Sequence, residues 1–245
     1  LNTIETGTIT LPSGTANLDV VFVATTNDKH LDAFKTIPDF SSFRARFELI
    51  NVPYLLLPSQ EEKIYHADVA AISQYHKVAP HTLSTLCTWA VLTRLKQPNP
   101  DAFPQKGQAL VGKIDPYVKL MIYEGRPLQR VLPRPEQMMA KELRQLLWDE
   151  SRGSPVYEGR FGASPREVRV LLHRAAQNSA WPELTPMTII DELRALIRNR
   201  TVYEFLQFEP RGHYHDVAWF VDVVTDQYLR AFEDEAIVCM NIADA

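Results

Sequence analysis

Apolar residues follow two regimes along this chain, and the change between them falls near residue 58. Before it, they come as short alternations or unbroken runs. Residues 6–11 alternate as a short strand does, and Pro12, Ser13 and Gly14 read as the turn that follows. Residues 18–24 (LDVVFVA) are apolar without alternation, the pattern of a strand covered on both faces in a parallel sheet. A helix is expected over residues 29–37 with Asn27 placed to cap it, and another helical piece ends over residues 43–47. A strand over residues 48–57 follows, and Pro53 inside it points to an edge or a bulge. A parallel sheet needs more strands than these, so the sequence reads as a carboxyl-terminal portion of a longer protein, opening in mid-fold.

After residue 58 the spacing turns helical. Ser59 and Glu62 have the separation of a capping box after Pro58, and Ile64, Ala67, Ala71, Ile72 and Tyr75 supply an apolar stripe. Pro80 opens a further helix, with Leu83, Leu86, Cys87, Ala90 and Val91 inward and Lys96 at its close. Residues 97–104 are a proline-rich connection. Over residues 110–126, Val118, Leu120 and Ile122 alternate with Lys119 and Met121, which predicts a hairpin-like insertion turning at Gly125. A helix over residues 136–148 points Met139, Leu143, Leu146 and Leu147 inward, and residues 149–157 are rich enough in Ser, Arg, Gly and Pro to be expected mobile. Two amphipathic helices close the chain. One is built on Ile190, Leu193, Leu196 and Ile197, the other on Val217, Phe220, Val221, Val224, Tyr228 and Phe232. The second ends at Glu233, Asp234 and Glu235, leaving an apolar tail over residues 237–240.

The strongest local signal lies between these. Ser164 can cap a helix, Pro165 suits its first position and Glu167 completes a reciprocal capping box, ahead of an apolar stripe of Val168, Leu171, Leu172, Ala175 and Ala176. Arg166 runs against this grammar. A cation in the first turn faces the positive end of the helix dipole, at a cost of about 0.3–1 kcal/mol unless an anion arrives. Such a place suits a phosphate, although a surface arginine in solvent or beside an acid would look the same in sequence.

Composition narrows the function. The chain has 245 residues, a formal net charge of −4 and an ordinary charged fraction of 23%, which leaves no electrostatic case for nucleic acid. No apolar run reaches the length of a membrane span, and no signal peptide opens the chain, so a cytoplasmic setting without membrane is expected. Cys87 and Cys239, both in apolar helical patterns, are expected to be buried free thiols. Gly112 and Lys113 resemble the end of a phosphate-binding loop only superficially, because its first glycine and its Ser or Thr are absent. An acidic pair after an apolar strand is missing too, as are the HRD and DFG signatures of eukaryotic-type kinases. His213, His215 and Asp216 read as a loop that ends in a helix cap rather than as metal ligands.

Gly162-Ala163-Ser164-Pro165-Arg166-Glu167 resembles the sensor 2 motif of AAA+ ATPases, in which a lid-domain helix offers an arginine to the terminal phosphates. Residues 43–65 (FRARFELINVPYLLLPSQEEKIY), 83–96 (LSTLCTWAVLTRLK) and 119–125 (KLMIYEG) resemble, in order and spacing, the PrkA-type AAA+ family, whose members are named serine protein kinases. This resemblance implies an α+β, mainly α fold. Residues 1–58 would be the end of an αβα nucleotide domain, 59–180 a helical lid with an inserted subdomain near 97–150, and 181–245 a helical extension. It further implies that Asn27 is sensor 1, orienting the attacking water, and that Arg166 is sensor 2. Arg46, with Arg44 in reserve, would be the finger reaching a neighbouring subunit's ATP. In the parent protein ATP, Mg2+, a ring-like homo-oligomer and a protein substrate are implied, and a segment without the phosphate loop is expected to be inactive alone. Two other readings stand beside this one, a MoxR-type chaperone ATPase and a non-enzymatic adaptor of helices.

Overall fold

The turn read at Pro12 and Ser13 closes a hairpin. In the computed structural model, which describes residues 2–152 and 156–240, a short helix α1 (Asn2–Thr6) leads into β1 (Thr8–Leu11). This strand pairs antiparallel with β2 (Gly14–Asn17), Leu11 opposite Gly14. Two further helices follow, α2 (Asp28–Lys35) and α3 (Phe40–Arg44). Neither buries a residue fully. What holds them is a cluster of rings, with Phe34 edge-on to Phe43 at 4.9 Å between centroids and Phe43 stacked on Phe47 at 4.3 Å.

Neither of the longer strands expected in this region forms. Residues 18–27 and 45–57 are irregular, and the β1–β2 hairpin is the only sheet among the described residues. Val21 and Val23 stand 91% and 83% exposed where a doubly covered strand was expected. The physical reason is pairing: a parallel strand is stable only with neighbours to take its N–H and C=O groups, and the described residues supply none.

The chain divides into two compact units, Leu1–Val52 and Pro53–Ala245. The second is all helix, and its centre is the most apolar element. It runs through α4 (Pro58–Ile72), α5 (Thr82–Leu92), a 3-10 turn (Pro100–Ala102), α6 (Gln105–Val111), α7 (Pro116–Glu124), α8 (Arg134–Arg152), α9 (Pro165–Ala176), α10 (Pro186–Arg198), a second 3-10 turn (Glu204–Gln207) and α11 (Val217–Cys239). Nine of the eleven residues of α5 are buried, including Leu86, Cys87, Trp89 and Val91. A helix apolar on every side must be surrounded, and α4, α7, α9, α10 and α11 all pack on it. The α8 helix packs on α6 and α7 at the far end.

Several sequence expectations are corrected here. The insertion over residues 110–126 is helical. Asp115 accepts the N–H of Val118 at 2.8 Å as an N-cap, Pro116 holds the first position and Gly125, at φ +68°, ends the helix in the left-handed region. The apparent alternation arose because Lys119, Met121 and Tyr123 are buried together with Val118, Leu120 and Ile122. In α4, Leu57 holds the N-cap position with no side-chain cap bond, and Ser59 sits inside the helix with its N–H given to the Glu124 carboxylate at 2.8 Å. The inward face of α4 is Glu61, Tyr65 and Ile72, whereas Ala67, Ala71 and Tyr75 are exposed. Leu146 is 41% exposed, and Ala140 takes an inward place beside Leu143 and Leu147. Residues 149–152 continue α8, while 153–155 lie outside the described residues. The α11 helix runs on through Glu235 to Cys239, leaving that thiol exposed and only Cys87 buried.

Candidate functional site

The helix predicted most firmly forms as predicted. Ser164 takes an extended conformation and accepts the N–H of Glu167 at 3.3 Å, and Glu167 accepts the N–H of Ser164 at 2.6 Å, with Pro165 at the first position. Val168, Leu171, Leu172 and Ala175 are buried, so the stripe fixes which way the first turn faces. Arg166 lies outside that stripe, exposed, with no hydrogen-bond or ion-pair partner among the described residues. Its neighbour one turn on, Arg169, is engaged: Nε donates to both oxygens of Asp68 on α4 at 3.0 Å, and His173 Nε2 adds a contact to Oδ1 at 3.3 Å. Burial opposes ionisation of Asp68, but Arg169 and His173 outweigh it and hold the carboxyl below its usual range.

The turn that delivers α9 is held by groups the sequence reading passed over. Arg94, just beyond α5, is almost wholly buried and makes a two-pronged pair with Glu61 of α4, both contacts at 2.7 Å. Its Nε donates to the carbonyl of Ala163 at 2.8 Å and its Nη1 to that of Leu55 at 2.8 Å. Thr93 accepts the N–H of Ala163 at 2.9 Å through its hydroxyl, and Tyr65 donates its hydroxyl to Glu61 at 2.6 Å. Burial, then the Glu61 carboxylate, push the Tyr65 phenol far above its ordinary pKa. Gly162 fits only because it is glycine: at φ +114° a Cβ would lie 2.7 Å from Arg94 Cγ and 2.8 Å from the Thr93 carbonyl. Arg94 and Glu61 had a faint signal, a cation set among apolar residues just before Lys96 and an acid four residues before a tyrosine. Nothing local joined the two.

A second buried pair holds the same loop farther back. Lys119 of α7 gives its ammonium to Glu158 at 2.6 Å and to the Lys96 carbonyl at 2.7 Å. Glu158 also accepts from the N–H of Lys96 and the hydroxyl of Tyr123, each at 2.7 Å. Burial and the Glu158 charge drive the Tyr123 phenol far upward. In front of the α9 cap opens a cleft of about 200 Å3, lined by Tyr54, Phe161, Phe205 and Phe208 together with the charged Arg160, Glu167 and Glu204. Arg166 is not among the residues lining it.

The remaining site candidates lie in the first unit. Asn27 is at the N-cap of α2 in extended conformation, yet its exposed side chain makes no cap bond. Arg46 is committed: it pairs with Glu5 and donates to the Ser42 carbonyl at 2.6 Å and to the Ser42 hydroxyl. Arg44 makes only one long contact, to the Phe47 carbonyl at 3.4 Å, and is the freer guanidinium. In the second unit Gly112 ends α6 at φ −65°, so Lys113 follows an ordinary helix end. His213 stacks on Trp219 at 4.3 Å, His215 meets Phe208 edge-on and Asp216 caps α11 through the Trp219 N–H at 3.1 Å. Among the described residues no three His, Cys, Asp or Glu side chains converge, and no helix is long and apolar enough to cross a membrane.

Comparison with known proteins gives two family matches in tandem. The PrkA AAA domain matches residues 5–101, and the PrkA serine protein kinase C-terminal domain matches residues 117–241. The ATP-dependent protease PrkA of Bacillus subtilis (strain 168) is 26% identical over 198 residues, which is 80% of this chain and 27% of that protein. The serine/threonine kinase YeaG of Escherichia coli (strain K12) is 28% identical over 115 residues, 46% of this chain and 16% of that protein. The chain thus spans well under a third of these relatives' length. No solved structure matches.

Proposed function

Since this chain belongs to the PrkA family, carrying part of its AAA domain followed by its C-terminal domain, we propose that it supplies the phosphate-sensing half of an ATP-dependent machine. Arg166 acts as sensor 2, taking the terminal phosphates of ATP. Asn27 acts as sensor 1, and a guanidinium after α3 serves a neighbour's ATP in a ring of identical subunits. For that last role Arg44 is the freer of the two arginines, and Arg46 would first have to release Glu5.

One observation carries the reading. A fully capped helix, its entry turn clamped by buried charge, presents in its first turn an exposed arginine that no acid of the described residues answers. A cation at that end is unfavourable until an anion binds, and a guanidinium then meets phosphate oxygens with a matching fork. Magnesium has no ligand proposed in this segment. With neither a phosphate loop nor an acidic pair after an apolar strand in its sequence, the segment is expected to be inactive alone. One of the two relatives is named an ATP-dependent protease and the other a serine/threonine kinase, and only the ATP dependence in the first name is carried over here.

The test is Arg166→Ala in the full-length protein. Removing a charge-stabilising donor from a reacting phosphate should lower kcat for ATP turnover by about 10² or more. An exposed side chain should leave thermal stability within about 0.5 kcal/mol. Unchanged turnover would refute the assignment and leave the idle helical adaptor. A protein kinase further requires phosphate transfer to a serine, lost on mutating the parent's phosphate-loop lysine, whereas a protease requires ATP-dependent peptide-bond cleavage.

A further inference from the structure

Two cations of the helical unit stand at a cavity with no acid to answer them. Between the end of α7 and the middle of α8 lies a cavity of about 300 Å3 lined by Ile122, Gly125, Arg126, Leu128, Lys141 and Arg144. Its floor is apolar, since Ile122 and Leu128 are buried. Arg126 is neutralised by Glu124, whose other oxygen takes the Ser59 N–H. Glu62 is the further acid whose charge reaches this pair. Arg144 gives one N–H to the Tyr123 carbonyl, which accounts for a single donor of its five. Lys141 makes no hydrogen bond, and neither it nor Arg144 has an ion-pair partner among the described residues. Gly125 keeps the space beside the guanidinium open: at φ +68° a Cβ there would lie 3.3 Å from Arg144 Nη1.

Helix capping explains one bond of Arg144 and none of Lys141. What remains is two exposed, uncompensated positive charges, one a planar fork and one an ammonium, beside the buried Ile122 and Leu128. We propose that this cavity binds a phosphate group, free or as a monoester, whose two charges match the two unanswered cations and whose oxygens suit the fork. A carboxylate would answer only one of them. The site is separate from Arg166 and holds whether or not that residue senses ATP.

The experiment is calorimetric titration of the full chain with O-phosphoserine, inorganic phosphate and acetate at constant ionic strength. The variants are Lys141→Ala/Arg144→Ala and, as control for a charge lost elsewhere on the helical unit, the exposed Lys106→Ala, each checked for helix content. Saturable binding of a phosphate species is expected, weakened about tenfold or more by the double substitution, the scale of one lost hydrogen bond to a charged group. The control should bind unchanged. Phosphoserine binding without inorganic phosphate marks a modified side chain as the source, and inorganic phosphate alone marks a free anion; both uphold the site. It is overturned if no phosphate species saturates, if acetate binds equally well, if the double variant retains affinity, or if Lys106→Ala loses as much of it.

Discussion

Arg94→Met tests the clamp that delivers α9, and its cost can be worked from contacts. The substitution keeps length and apolar bulk but removes four hydrogen bonds of 2.7–2.8 Å, two to Glu61 and one each to the carbonyls of Ala163 and Leu55. Glu61, with no solvent exposure, is left as a buried carboxylate met only by the Tyr65 hydroxyl. Stranding one partner of a buried pair costs about 3–5 kcal/mol. At about 2–4 °C per kcal/mol for a chain of this size, the melting temperature should fall by about 6–20 °C. The readout is tryptophan fluorescence during heat and urea unfolding, since all four tryptophans, Trp89, Trp148, Trp181 and Trp219, lie in the helical unit. Glu61→Gln supplies the second arm. Once the carboxylate is an amide, Arg94→Met no longer strands a charge, so the double variant should cost less than the sum of the single ones. Exchange of the Ala163 amide, now bonded to Thr93, should speed up in Arg94→Met. A loss below about 1 kcal/mol, or strict additivity, would refute the clamp.

Gly162→Ala should lower the same transition by about 1–3 kcal/mol, because φ +114° is strained for any other residue and the new methyl meets Thr93 and Arg94; unchanged unfolding would count against the geometry of the turn. His215 is held below its ordinary pKa by burial, with Arg211 adding to it, so the unfolded chain takes up the proton first. Stability is then full above pH ~6.5 and falls as pH drops from there towards the folded value. His215→Asn, which tolerates the left-handed φ of 63°, should flatten the urea midpoint over that window. It should leave the steeper loss below pH ~4, where Asp68, depressed in the folded state, takes up its proton; an unaltered slope between pH ~6.5 and ~5 would exclude His215 as its source.

What could be read from sequence lay within one or two helical turns, although even there the box expected at Ser59 and Glu62 and the cap bond of Asn27 did not form. The capping box at Ser164 and Glu167, the Asp216 cap and the stripe of α9 depend on residues three or four apart, and each formed as expected. The strand over residues 18–24 failed for the opposite reason, since its pattern describes a surrounding sheet that the described residues do not contain. The α7 helix was misread because a helix buried on every side shows no helical period, and its true markers were Asp115, Pro116 and Gly125 at the ends. The pairs Glu61 with Arg94 and Lys119 with Glu158 join residues 33 and 39 apart, a separation at which no local pattern operates.

That separation changes what Arg166 can do. Had the turn over residues 162–164 been a free loop, an anion drawn to Arg166 would only have ordered that loop. Instead the carbonyl and N–H of Ala163 are bonded to Arg94 and Thr93 at the end of α5, and Arg94 is locked to Glu61 of α4. On its other side α9 is tied to α4 again, through Arg169, His173 and Asp68. A force on the first turn of α9 is therefore a force on α4 and on α5, the helix on which α7, α10 and α11 also pack. Closely packed interiors transmit such strain instead of absorbing it. With Arg166 taking an anion as proposed, the buried charges couple its helix to α4 and α5, and Arg94→Met should weaken that coupling even where Arg166 itself is intact.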